Sequence, residues 1–264
     1  MPTPWPSPPG YGELCPLDRV LHRLLGVGKG FRFAAPLNVI SLSLPEFPAA
    51  CRDYPVVFAR SGDGKRLVSV AVTGLSGGEN LFVDSDGVWR EGCYIPAYAR
   101  CYPFTLVEVT RAGEAENLVC VDEDGLDPHG ERMFDNDGDP TPSWERMHRF
   151  LEESRAASRR TLAFLQALDE RNIIAPFELR AAHGQGGEEQ VIRGLYRVDE
   201  KRLAGLPEAL LKSWVANGWL KRIHAHMISL DNFAQLARLR AARAESETEP
   251  ANRRAPRARR MTPR

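Results

Sequence analysis

The sequence predicts an α+β protein: a β-rich antiparallel N-terminal half followed by a long helix, a hairpin and shorter helices packed on the sheet. Three observations lead there. Residues 31–110 consist of short alternating or β-branched runs separated by Gly and Asp turn signals. At Thr141-Pro142 the apolar period lengthens to that of a helix and holds for about seven turns. After Pro176 the strand period returns, and further helical runs follow it.

Taken in order, residues 1–30 read as a proline-rich arm with one amphipathic turn, in which Leu17, Leu21, Leu24 and Leu25 have helical spacing. In the β-rich region, 31–140, the strands are Val56-Val57-Phe58, Arg66 to Thr73, Asn80 to Val83 and Phe104 to Val109. Ser61-Gly62-Asp63-Gly64 and Asp84-Ser85-Asp86-Gly87 supply the turns. The run Tyr94 to Phe104 continues the strand pattern, so Tyr98, Arg100 and Tyr102 are expected on one face. Residues 111–140 read as an acidic connection with at most a short strand pair near Leu118 to Val121. In the α+β region, 141–241, Thr141 suits an N-cap and Pro142 the first helical position. The stripe of this helix is Trp144, Met147, Leu151, Ser154, Ser158, Thr161, Leu165 and Leu168. A hairpin follows, with Phe177 to Ala182 and Gln190 to Val198 flanking Gly184-Gln185-Gly186-Gly187. Next come a helix from about Pro207 to Asn217 with Gly218 as its C′ residue, a strand over Trp219 to Ile228, and a last helix capped by Ser229. Residues 242–264 form an Arg-rich tail too polar to fold by itself.

The chain has 264 residues, 43% hydrophobic and 27% charged, a balance that supports a buried core and a soluble protein. No run approaches the ~18 apolar residues of a membrane helix, so no membrane span is expected. The N-terminus lacks a basic region followed by an apolar one, which makes cytoplasmic location the expectation. Cell-surface location by a non-Sec route is the alternative. Five cysteines without a C-x-x-C pair point to reduced thiols rather than a disulfide framework or structural zinc. The formal charge of zero conceals a division: residues 238–264 hold nine Arg and three Glu, whereas 113–139 hold ten acids and one Arg. The basic tail lacks interleaved aromatics and the body is acidic, so nucleic acid is not the expected partner.

Few motifs carry chemistry. Gly26-Val27-Gly28-Lys29-Gly30 departs from the phosphate-loop pattern because Lys29 precedes Gly30 and Phe31 rather than Ser or Thr, and no strand leads in. Asp135, Asp137 and Asp139 have calcium-loop spacing. Position six is nevertheless Pro140 and position twelve Arg146, leaving at most a weak metal alternative beside a solvated acidic turn. His224 and His226 stand two apart on the expected strand with no third ligand to name. No cofactor is expected and no catalytic residue can be named, so a non-enzymatic role is favoured. The remaining candidates are Tyr94, Tyr98, Arg100 and Tyr102. They offer either an aromatic and cationic lip for an anionic or peptide ligand, or core anchors around an internal ion pair.

Several blocks occur together: Phe31-Arg32-Phe33-Ala34, Pro45-Glu46-Phe47, Tyr54-Pro55-Val56-Val57-Phe58, Asn80 to Trp89, Tyr94 to Phe104 and Leu195 to Asp199. In combination, over about residues 18–240, they resemble the SapC family of bacterial proteins, not the transporter permeases that share the name. Cys101, where a second Arg would be expected, and the Arg-rich tail depart from that pattern. The family's name implies a link to a bacterial surface layer, but the resemblance brings no catalytic residues. Three classes follow: a soluble binding or accessory module acting on a protein or anionic small molecule, a surface-layer-associated structural protein, and an enzyme of unknown reaction.

Overall fold

The computed structural model describes residues 5–111, 113–181 and 190–248. Its architecture is α+β with every strand pair antiparallel. A three-stranded sheet joins β1 (Leu14–Pro16), β7 (Glu114–Asp122) and β6 (Phe104–Arg111) in that spatial order. A five-stranded sheet has the order β10 (Ile174–Ala181), β11 (Gln190–Val198), β4 (Val56–Arg60), β5 (Leu67–Val72) and β3 (Val39–Ser41). A small third sheet sets β2 (Gly26–Val27) between β8 (Leu126–Asp127) and β9 (Glu131–Arg132). The Gly26 stretch serves this sheet: a Cβ on Gly26 would lie 2.4 Å from the Gly130 backbone, so glycine permits the close approach.

The five-stranded sheet is covered by helices α1 (Phe47–Ala50), α5 (Glu208–Ala216), α6 (Trp219–Ser229), α7 (Asn232–Thr248) and the second half of α3 (Pro142–Glu170). Two short helices, α2 (Ala97–Cys101) and α4 (Glu200–Ala204), complete the set. The main core draws on both halves of the chain, from Ile40, Phe47, Tyr54 and Phe58 to Phe164, Leu168, Trp214 and Leu236. A second core lies under the first half of α3 and contains Phe104, Val121, Met133, Phe134, Trp144 and Leu151. At 1.5 Å per residue the 29-residue α3 spans about 43 Å, enough to serve both. Thr141 and Pro142 start it as expected, with the Thr141 hydroxyl accepting from Trp144 N–H at 3.2 Å. Arg60 of β4 anchors the far end through two 2.7 Å hydrogen bonds to Asp169, which hold that carboxyl below its usual range.

Several local expectations are corrected. Residues 219–228 are helical, not extended, and place His226 in the core while His224 is exposed. Within β4 and β11 the pairs Leu195–Ala59 and Tyr196–Phe58 are in register. Two residues further on, Val56 and Val198 would meet, but the His226 ring enters between them. Its Nδ1–H donates to Val56 O at 2.6 Å, its Nε2 accepts from Val198 N–H at 3.1 Å, and Ser229 Oγ accepts from Val56 N–H at 2.9 Å. Ser229 therefore ends α6 and bridges to the sheet instead of capping α7. Burial pulls the His226 pKa down to about 4, so the ring is neutral.

Asn80 to Val83 is a turn with one bridge, Val83 to Trp89, rather than a strand. The expected acidic connection contains a long hairpin, since β6 and β7 pair over eight residues. Residues 19–24 form turns instead of an amphipathic helix, leaving Leu21 77% and Leu24 57% exposed. The boundary expected at Ala242 falls inside α7, where Arg243 donates to Asn80 O at 3.0 Å and Val83 O at 2.9 Å. The rest of the expected tail, 249–264, and the turn at 184–187 lie outside the described residues.

Candidate functional site

Tyr94 to Phe104 is not a strand. Pro96 leads into α2, whose Ala97 and Ala99 are buried, and the helical turn separates the side chains that strand alternation would align. Tyr98 and Tyr102, four residues apart, turn toward the N-terminal arm. Tyr98 donates to Pro9 O, Tyr102 stacks on Phe33 with ring centroids 3.8 Å apart, and Tyr11 meets both tyrosines edge-on. Burial raises the pKa of Tyr11, Tyr98 and Tyr102, so all three remain phenols. Tyr98 also lines a cavity of about 220 Å³ beneath Ser154 and Ser158.

Arg100 and Tyr94 face the other way and meet a residue the sequence left unassigned. Glu46 is a buried carboxylate held by donors on every side: Ser43 N–H at 2.8 Å, Ser43 Oγ at 2.7 Å, Ala97 N–H at 2.6 Å and Tyr94 OH at 3.1 Å. Burial first and Glu46 second push Tyr94 up to about 12, with Arg100 opposing. The phenol thus donates to Glu46 and accepts from Arg100 Nη2 at 3.2 Å. Arg100 Nε donates to Ile95 O at 3.1 Å, and the guanidinium lies 4.6 Å from the Phe150 ring centroid and 5.7 Å from that of Tyr94. No carboxylate pairs with Arg100 among the described residues. The internal ion pair considered from sequence is not what holds it.

Arg100 opens onto a cleft of about 330 Å³ between α2, β9 and the first turns of α3. Met133, Trp144, Met147 and Phe150 form its apolar wall. Arg132 and Arg146 add cations at the rim, where Arg146 lies 3.6 Å from Glu131 and Arg132 reaches Asn136. Of the four candidates, Arg100 therefore lines this cleft, Tyr94 holds it in place, and Tyr98 and Tyr102 belong to the arm side.

The aspartates at 135, 137 and 139 shape their own loop. Asp135 Oδ1 accepts from the backbone N–H of Asp137 and Asp139, both at 2.9 Å, and all three residues are exposed.

A family model for SapC matches residues 17–236, most of the chain. The chain belongs to the SapC family. The boundaries of the match include the core strands, α2, the cleft and all but the last twelve described residues of α7, so this SapC protein carries the cleft inside the family region. No curated protein and no solved structure matches it. No helix among the described residues is long and apolar enough to cross a membrane.

Sequence reasoning singled out Arg100 and Tyr94 but missed Glu46, Trp144 and Phe150 as their surroundings. The Ser43-x-x-Glu46 spacing was the available signal for the first, because it is a capping box and points the carboxylate inward. Nothing local signals Phe150, which reaches Arg100 only through the crossing of α2 and α3.

Proposed function

We propose that this SapC protein is a binding module whose ligand is an anion with an apolar body, held in the Arg100 cleft. The observation that carries the reading is a guanidinium with no carboxylate partner among the described residues, presented beside an apolar wall. The Tyr94 hydroxyl, the Ile95 carbonyl and the Phe150 ring fix its orientation in advance, which reduces the ordering cost of binding. A planar fork matches carboxylate or phosphate geometry, and Met133, Met147 and Trp144 offer adaptable apolar contact to the rest of the ligand. The surface-layer reading rests on the family name alone. Glu131 and Ser143 also line the cleft, so an enzymatic reading is the second one; Glu131 lies beside Arg146 at 3.6 Å, and the Met, Trp and Phe wall favours holding over reacting.

The test uses methionine-methyl NMR with 3-phenylpropionate and its neutral amide as probes. The carboxylate is expected to shift the Met133 and Met147 methyl signals, with the amide about tenfold weaker and Arg100→Gln abolishing the difference. Equal responses to carboxylate and amide, or no response at millimolar probe, would refute the assignment.

A further inference from the structure

We infer that Cys15, His22 and Glu123 form a three-ligand site for a borderline divalent cation of the zinc class. The three are brought together where β1 pairs with β7: Cys15 lies opposite Val121 in the ladder, and Glu123 follows directly after β7. The chain then turns back at Asp18, whose side chain accepts from the N–H groups of Val20 and Leu21, and delivers His22 to the same corner. The separation of Cys15 and His22 by six residues escapes any search for C-x-x-C pairs.

The donor atoms converge. His22 Nε2 is 3.1 Å from Glu123 Oε1 and 3.9 Å from Cys15 Sγ, and all three lie within 4.8 Å of one another. Tetrahedral zinc bound by thiolate, imidazole and carboxylate sets its ligand atoms roughly 3.3–3.6 Å apart, from its usual bond lengths. The observed spacings lie on either side of that range, so small side-chain adjustments suffice.

Two other roles are less consistent with the arrangement. In a nucleophile–imidazole–acid triad the thiol and the carboxylate use opposite ring nitrogens, whereas here both approach Nε2. In His226 the backbone satisfies both ring nitrogens; in His22 it satisfies only Nδ1, and Nε2 faces two further metal-ligating groups, Glu123 Oε1 and Cys15 Sγ. That nitrogen lies 2.9 Å from Asp18 N and 3.1 Å from Asp18 O, so the main chain supports either tautomer. With a metal on Nε2 the ring proton resides on Nδ1 and is donated to Asp18 O, the usual outer-shell partner of a ligating imidazole.

Charge and access agree. One thiolate and one carboxylate balance a divalent ion. Cys15 would bind as the thiolate, its proton released to solvent on metal binding. The His22 side chain is 3% exposed and that of Glu123 66%, so one side of the site faces water and leaves a coordination position for an exchangeable ligand.

The full chain, reduced and stripped of metal, is titrated with Co²⁺ and then Zn²⁺, following thiolate-to-cobalt charge-transfer absorption and thermal midpoint. We expect one equivalent of Co²⁺ to give the band, Zn²⁺ to displace it, and the midpoint to rise. Cys15→Ser should abolish the band. Glu123→Gln retains an oxygen to accept from His22, so it keeps the hydrogen bond and the fold while weakening metal affinity at least tenfold. Absence of the band at micromolar Co²⁺, its persistence in Cys15→Ser, or unchanged affinity in Glu123→Gln would each overturn the assignment.

Discussion

Glu46 and Arg100 occupy the two ends of one hydrogen-bonded chain, with Tyr94 between them, yet they differ in what they support. Glu46 is buried and accepts four hydrogen bonds; Glu46→Gln turns an amide N–H₂ toward those donors and is expected to cost about 2–3 kcal/mol in urea unfolding. Arg100 is exposed and has no ionic partner among the described residues, so Arg100→Lys should leave the urea midpoint nearly unchanged while weakening anion binding in the cleft. His226 gives the fold a defined acid sensitivity. Its pKa falls to about 4 on folding from an ordinary value near 6.5. Between those values the unfolded chain binds the extra proton, so this contribution is present above about pH 6.5 and is lost as pH drops toward 4. The full loss is on the order of 3 kcal/mol. Urea unfolding of the wild type and His226→Asn across pH 4–7 should show a shallower slope in the variant; parallel curves would assign the acid response elsewhere.

The elements were legible where local chemistry governs them. The start of α3 is the best case: Thr141 caps it and also donates to Arg132 O at 2.8 Å, so Thr141→Ala should cost about 1–2 kcal/mol, while Thr141→Ser should cost much less. Gly218, with φ of 76°, likewise takes the left-handed position after α5 that its sequence context indicates. The failures have physical causes. Trp219 to Ile228 alternates well enough to read as a strand, but Gly218 ends one helix and permits another to begin, and the fold needs His226 inside the sheet. Tyr98 to Tyr102 is β-prone by composition; the Glu46 carboxylate captures the N–H of Ala97 and favours a helical turn there. Glu46 lies 51 residues earlier, and no window along the chain contains that contact. The cleft was half legible for the same reason: its cation belongs to a recognisable block, whereas its apolar wall is assembled from α3 and Met133, which follows β9.

At the scale of the whole molecule, the C-terminal helix closes over the N-terminal half. Arg243 satisfies the carbonyls of Asn80 and Val83, so truncation after Ala242 should lower the thermal midpoint by several degrees, roughly 2–4 °C per kcal/mol lost. Truncation after Thr248 retains that clamp and removes chiefly charged and small residues, so it should leave the midpoint close to wild type. The five-stranded sheet has a more general consequence. Its centre is made by β4 from one half and β11 from the other, and Phe47, Phe58 and Phe164 fill one core between them. A chain severed in the exposed loop at residues 135–139 would leave each fragment with an unpaired sheet edge and an uncovered apolar face. Neither piece should fold alone, but mixed together they should recognise one another and restore a single cooperative transition, as halves that are separate in sequence and inseparable in structure.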